Sequence, residues 1–353
     1  MLLRNRLYYA VKPFVPLPMR LGVRRWFALR KKARVSGVWP IMPGSERPPE
    51  DWPGWPDGKK FALVLTHDVE GQAGLDKCGR LIDLEKGLGF RSSFTLIPEG
   101  EYKVTETVRN QFTSNGFEIG VHDLYHNGKL FLSKAEFSRN APVINTHLDE
   151  WGAVGFRSGF MLHNLEWLHD LNIDYDASTF DTDPFEPQPH GKKTIFPFWV
   201  PRPARVRKPK ARDSQSSALD GSASPTAHPD PACRVSPSSL RSGYVELPYT
   251  LPQDYTLFVL LGERQPDIWT QKLDWVASHG GMALVNVHPD YIQFNGEPPS
   301  RRTYPVELYA GFLRHALERY GGAFWQPLPR EVACLCRTTM SHGRYGGPVE
   351  VRT

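Results

Sequence analysis

The chain has 353 residues, of which 40% are hydrophobic and 12% aromatic, enough for a sizeable core and against a chain disordered throughout. Its 4 cysteines are too few for a disulfide scaffold and point to a reducing environment. The net charge of +5 is unevenly divided: residues 1–45 hold ten Lys and Arg and no acidic residue, leaving 33 basic against 38 acidic residues in a body that is not a nucleic-acid surface by charge.

In chain order, no run of 18 apolar residues exists, so no spanning helix is expected. Lys12, Pro13, Pro16 and Pro18 interrupt the opening apolar stretch and no A-x-A site follows, so a cleavable signal is not expected either. Residues 19–34 read as a basic helix. Met19, Val23, Trp26, Phe27, Leu29 and Ala33 fall on one broad arc and Arg20, Arg24, Arg25, Lys31 and Lys32 on the other, with Arg30 and Arg34 intruding on the apolar side. Two readings stay open: a helix lying on an anionic membrane surface, or one packed on the body with its charges in water. The Pro- and Gly-rich residues 40–58 read as an extended strap.

From residue 60, short apolar runs alternate with helical stretches. The runs are 61–66, 93–97, 117–121, 153–156, 173–178 and 283–287; the helical segments lie near 73–87, 102–114, 133–149, 163–171, 267–279 and 306–320. This rhythm predicts βα units around a parallel sheet, in a barrel-like arrangement. Residues 203–242, rich in Pro, Ser, Ala and Arg and poor in large apolar side chains, read as a disordered insertion with Cys233 and His228 as bystanders. The expected organisation is a basic helix and strap over 1–59, a barrel over 60–330 interrupted by that insertion, and a tail over 331–353.

Four constellations stand at strand ends, where barrels of parallel strands build active sites. Asp68 and Glu70 follow the first run, two carboxylates that could act as a base and a metal ligand. His122 and His126 follow the third, at an i, i+4 spacing that places both imidazoles on one face of a helical turn. Arg157 ends the fourth run and could hold a carboxylate ionised. His288, fixed by Pro289, ends the last and suits a general acid.

The order of these motifs resembles the polysaccharide deacetylase family, the NodB-type domain of carbohydrate esterase family 4, in its D-x-D/E variant branch. The resemblance covers residues 60–200 and 243–328 and implies an α/β fold, a distorted (β/α)7 barrel. It implies that Asp68 is the base, that Glu70, His122 and His126 hold one divalent metal (zinc first, then Co, Ni, Mn or Fe), and that Arg157 and His288 are catalytic. Val69 stands where the family usually has an adjacent Asp, and Asp123 where it has Ser or Thr. The Tyr175-Asp176-Ala177-Ser178-Thr179 segment resembles a stretch of the variant branch, so Asp176, Asp181 and Asp183 are expected to face substrate. Trp199, Trp269, Trp275 and Tyr291 are candidate sugar-stacking residues.

The implied activity is hydrolytic removal of an acyl group, N-acetyl first, from a glycan or a lipid-linked sugar. A deformylase or other linear or cyclic amide hydrolase, and a barrel that binds glycan without hydrolysis, remain as alternatives. The expected location is the cytoplasm, with peripheral association at the anionic inner membrane face.

Overall fold

The computed structural model describes residues 17–50, 52–203 and 242–340. The expected insertion, with Cys233 and His228, falls almost wholly outside the described residues, as do the first 16 residues and the end of the expected tail.

The strands β1 (Phe61–Val69), β2 (Ser93–Leu96), β3 (Glu118–His122), β4 (Gly155–Arg157), β5 (Tyr175–Asp176) and β7 (Gly243–Glu246) pair parallel in that order. β8 (Met282–Val287) pairs parallel with the other side of β1, and β6 (Phe198–Pro201) pairs antiparallel with β7. The curled sheet is bridged beyond β7, where the Thr250 and Leu251 amides donate to the Leu284 carbonyl at 3.0 and 3.1 Å. The result is the expected α/β architecture, a distorted (β/α) barrel.

Strand periodicity sorts the side chains of β1. Phe61, Leu63, Leu65 and Val69 face outward into the core beneath the helices, while Ala62 and Val64 face inward. The same alternation puts Met282 and Leu284 inside and Ala283, Val285 and Val287 outside. The interior is apolar at the foot of the strands and polar at their C-terminal ends. Each fully buried large apolar side chain contributes about 1.5–3 kcal/mol.

The surrounding helices start and stop where local chemistry dictates. α2 (Cys78–Gly87) follows a short turn at Gln72–Leu75. α3 (Glu106–Thr113) begins at Thr105, whose side chain accepts from the Val108 amide, and α4 (Lys134–Trp151) at Ser133, which accepts from Glu136. α4 and α5 (Asp267–His279) end on Gly152 and Gly280 in the left-handed conformation. α6 is Val306–Tyr320. The helix expected near 163–171 is only a 3-10 turn, Trp167–Asp170: the Asn164 side chain accepts from the amides of Glu166 and Trp167, and a turn results. Near the end of the expected barrel range, β9 (Phe324–Trp325) pairs with the foot of β1. α7 (Pro329–Met340) then buries Val332, Ala333 and Cys336 against the barrel foot, so its residues plug the body where a tail was expected. Cys78 and Cys336 are buried free thiols.

The basic helix forms as α1 (Leu17–Arg34) and packs on the body the other way round from the expected packed helix. Some of its basic side chains reach the body from the rim of the contact. Lys32 pairs with Glu263 at 2.6 Å, Lys31 donates to the Pro184 carbonyl, and the Arg24 guanidinium lies 5.7 Å from the Tyr255 ring centroid. Ala28 is the buried contact, whereas Val23, Trp26 and Phe27 are 55%, 48% and 61% exposed. The strap behind α1 is held by Trp39 and Trp55, both buried. No helix among the described residues is long and apolar enough to cross a membrane.

Candidate active site

The polar upper interior of the barrel opens into a cavity of about 420 Å³ lined by Asp68, Glu70, His122, His126 and His288. All five come from strand ends or the residues just after them. Asp68 and Glu70 extend the inward-facing register of β1, and His288 extends that of β8 two residues after Asn286. His67, on the opposite face, is bonded to Glu85 and to the Val287 carbonyl and belongs to the outer core.

Asp68 is buried and fully engaged. Its Oδ1 accepts from Thr95 Oγ1 at 2.5 Å and from Arg157 Nη1 at 3.3 Å, and its Oδ2 accepts from Asn286 Nδ2 at 2.7 Å. Burial would raise its pKa, but the charges of Arg157, His122 and His288, with the Thr95 bond, outweigh it and hold the carboxyl well below the ordinary range. Arg157 is fixed in turn by the Ala177 carbonyl and the Thr66 hydroxyl.

His122 ends β3 with Nδ1 against the Arg157 carbonyl at 3.1 Å, which leaves Nε2 directed away from the backbone. The loop that follows is tight and is not a helical turn. Asp123 and His126 have φ of 57° and 49°, in the left-handed region, and Asp123 caps the Leu124 amide through its carboxylate. Gly159 permits this fold-back, since a Cβ there would lie 2.6 Å from the Asp123 carboxylate and 2.9 Å from the His126 ring. His126 stacks on Phe160, with ring centroids 4.7 Å apart.

Glu70, His122 and His126 each offer a ligand atom, all within 4.8 Å of one another. Glu70 Oε1 lies 3.4 Å from His126 Nε2. The Nε2 atoms of His122 and His126 are both buried and have no hydrogen-bond partner. Two orphaned imidazole nitrogens beside a carboxylate fit a divalent cation, because nothing else there meets their lone pairs. The His122 pKa is lowered to about 4 by burial, so the ring is neutral, as ligation requires. Tyr291, a candidate stacking residue, instead donates its hydroxyl to Glu70 Oε2 at 2.5 Å.

His288 sits across from Asp68, with Nε2 3.8 Å from Asp68 Oδ2 and 4.0 Å from Glu70 Oε1. Its Nδ1 contacts Asp254 Oδ1 at 2.6 Å, and the second oxygen of Asp254 accepts from the His288 amide. Burial would lower its pKa, but Asp254 and then Glu70 and Asp68 raise it to about 10.

The structure does not bring Asp176, Asp181 and Asp183 to the cavity lining. All three are buried and answered by internal partners: Asp176 by Ser178, Asp181 by Lys272, and Asp183 by the Phe185 amide and the Tyr249 hydroxyl. Their carboxylates organise the wall behind the cavity. Trp199 and Trp269 are likewise core residues, and Trp275 packs against the core. The carboxylate of this region that does line the cavity is Glu186, which accepts from Tyr249 and from Gln253 Nε2, both at 3.0 Å. Burial and then the neighbouring Asp183 raise its pKa to about 8.

Sequence reasoning also missed Asp254, Thr95 and Asn286. Only Asn286 carried a signal, because it shares the inward face of β8 with His288.

No protein-family model and no curated protein matches the chain. Solved structures do. A Mycobacterium smegmatis protein assigned as a polysaccharide deacetylase is 15% identical, with a TM-score of 0.55 over 87% of this chain and 98% of that one. A carbohydrate esterase family 4 pseudoenzyme from Bacillus anthracis is 13% identical, with a TM-score of 0.42 over 79% of this chain and 67% of that one. The first likeness shows that the chain has the polysaccharide deacetylase fold.

Proposed function

We propose that the chain belongs to the polysaccharide deacetylase family and is a metal-dependent hydrolase that removes an acyl group, N-acetyl first, from an amino sugar. The observation that carries this reading is the pair of orphaned imidazole nitrogens, His122 Nε2 and His126 Nε2, beside Glu70 and within one cavity with Asp68 and His288.

In this reading Glu70, His122 and His126 hold one divalent cation, zinc first. Bound there, it would supply Lewis-acid chemistry, polarising the acyl carbonyl and acidifying water. Asp68 accepts the proton of the attacking water as its oxygen bonds to the carbonyl carbon. Arg157, Thr95 and Asn286 keep Asp68 ionised and fix its lone pairs. His288, protonated through its contact with Asp254, gives its proton to the amine nitrogen as the carbon–nitrogen bond breaks, since an amine is a poor leaving group unless protonated. Free carboxylate and free amine leave the site.

The substrate is an acetylated glycan or a lipid-linked sugar, and the exposed aromatic face of α1 associates with an anionic membrane surface. Acetate and formate release from acetylated and formylated amino sugars by the zinc-loaded protein tests the activity. Release that needs both the metal and Asp68 supports the reading, and turnover that survives chelation contradicts it.

A further inference from the structure

Several basic residues of α1 are taken up by the body. Lys31 and Lys32 have protein partners, and the Arg25 guanidinium lies against Gly262, where an added Cβ would meet it at 2.4 Å. Arg24 differs. Its guanidinium lies over Tyr255, and both residues line the cavity that contains Glu70 and His288. Tyr255 packs on Tyr291, with ring centroids 5.0 Å apart, and Tyr291 bonds Glu70. Arg24 is thus two aromatic rings away from the candidate ligand. Arg302 lines the same cavity, and neither guanidinium pairs with a carboxylate among the described residues.

We infer that Arg24 and Arg302 form an anion subsite at the cavity, so that the sugar taken there carries phosphate or carboxylate oxygens beside its acylated amine. This rests on reading the cavity as an acyl-sugar site. A guanidinium offers parallel N–H donors that match either oxyanion, and a neutral glycan leaves them unused. Arg24 reaches the cavity from a helix that precedes the barrel, so selection for charge is supplied by α1, outside the strand ends that carry the chemistry.

The test is titration calorimetry of the full-length, zinc-loaded protein with three probes: methyl N-acetylglucosaminide, N-acetylglucosamine 1-phosphate and N-acetylmuramic acid. At low ionic strength at least one charged probe binds about tenfold or more tighter than the neutral one, and which one identifies the anion. The preference falls toward one in the Arg24→Gln/Arg302→Gln variant and shrinks with added salt. Equal affinity for all three, or a preference that survives the double substitution, overturns the subsite. Acetate release, followed in parallel, separates the two readings: Arg-dependent binding without hydrolysis keeps the subsite and loses the hydrolase, and hydrolysis without charge preference does the reverse.

Discussion

Asp68 has three donors on its two oxygens and a cation at each side, so its geometry does not depend on substrate. Asp68→Asn preserves the shape but cannot accept a proton; turnover should fall about 10²–10⁴-fold while metal content is unchanged. Near wild-type turnover in that variant would remove Asp68 as the base. Asp254 acts through His288 and is a positioning residue. It raises the His288 pKa, so the acid form persists to alkaline pH and the rate falls only as pH rises through that value. Asp254→Asn removes the raising influence, and the alkaline limb of kcat/KM should move to lower pH; an unmoved limb would show that another group sets it. At this scale the sequence was legible where a side chain terminates an apolar run. Asp68, Glu70, Arg157 and His288 all do. Asp176 lies inside a run and Asp181 and Asp183 follow it, but Ser178 claims the first and the remote Lys272 and Tyr249 claim the others.

At the scale of elements, the helical pattern of α1 was legible, but of its two open orientations the helix packed with its charges in water is not the one seen. The periodicity gives the helix, but the body offers acceptors such as Glu263 and the Pro184 carbonyl to Lys32 and Lys31, and the aromatic arc stays exposed. Val23, Trp26 and Phe27 stand beside Arg30, whose guanidinium lies 3.7 Å from the Trp26 ring centroid. An exposed aromatic and arginine face suits a lipid interface. Full-length protein should sediment with anionic vesicles, and Trp26→Ser with Phe27→Ser should shift it to the supernatant. Equal sedimentation of the two proteins would remove α1 as the contact. β1 and β8 were legible because both are buried on two faces and read as continuous apolar runs. β5 was legible inside the run 173–178, whereas the closing strands β6 and β9 were not marked as apolar runs.

Over the whole molecule, the barrel divides its labour along the strand axis. α7 and the apolar foot close one end, and the other gathers Asp68 from β1, Thr95 from β2, His122 from β3, Arg157 from β4 and Asn286 from β8. The order of strand-end motifs made this fold legible. The partners that tune the site were not, because Asp254 and Glu186 arrive on connections between strands whose paths no local pattern fixes. The central claim is that this end holds a metal through Glu70, His122 and His126. Its most direct test is the zinc stoichiometry of the chelated, full-length protein by titration calorimetry, beside the His122→Ala/His126→Ala variant. The account predicts one equivalent for the wild type and none for the variant; no binding by the wild type, or one equivalent retained by the variant, would contradict it.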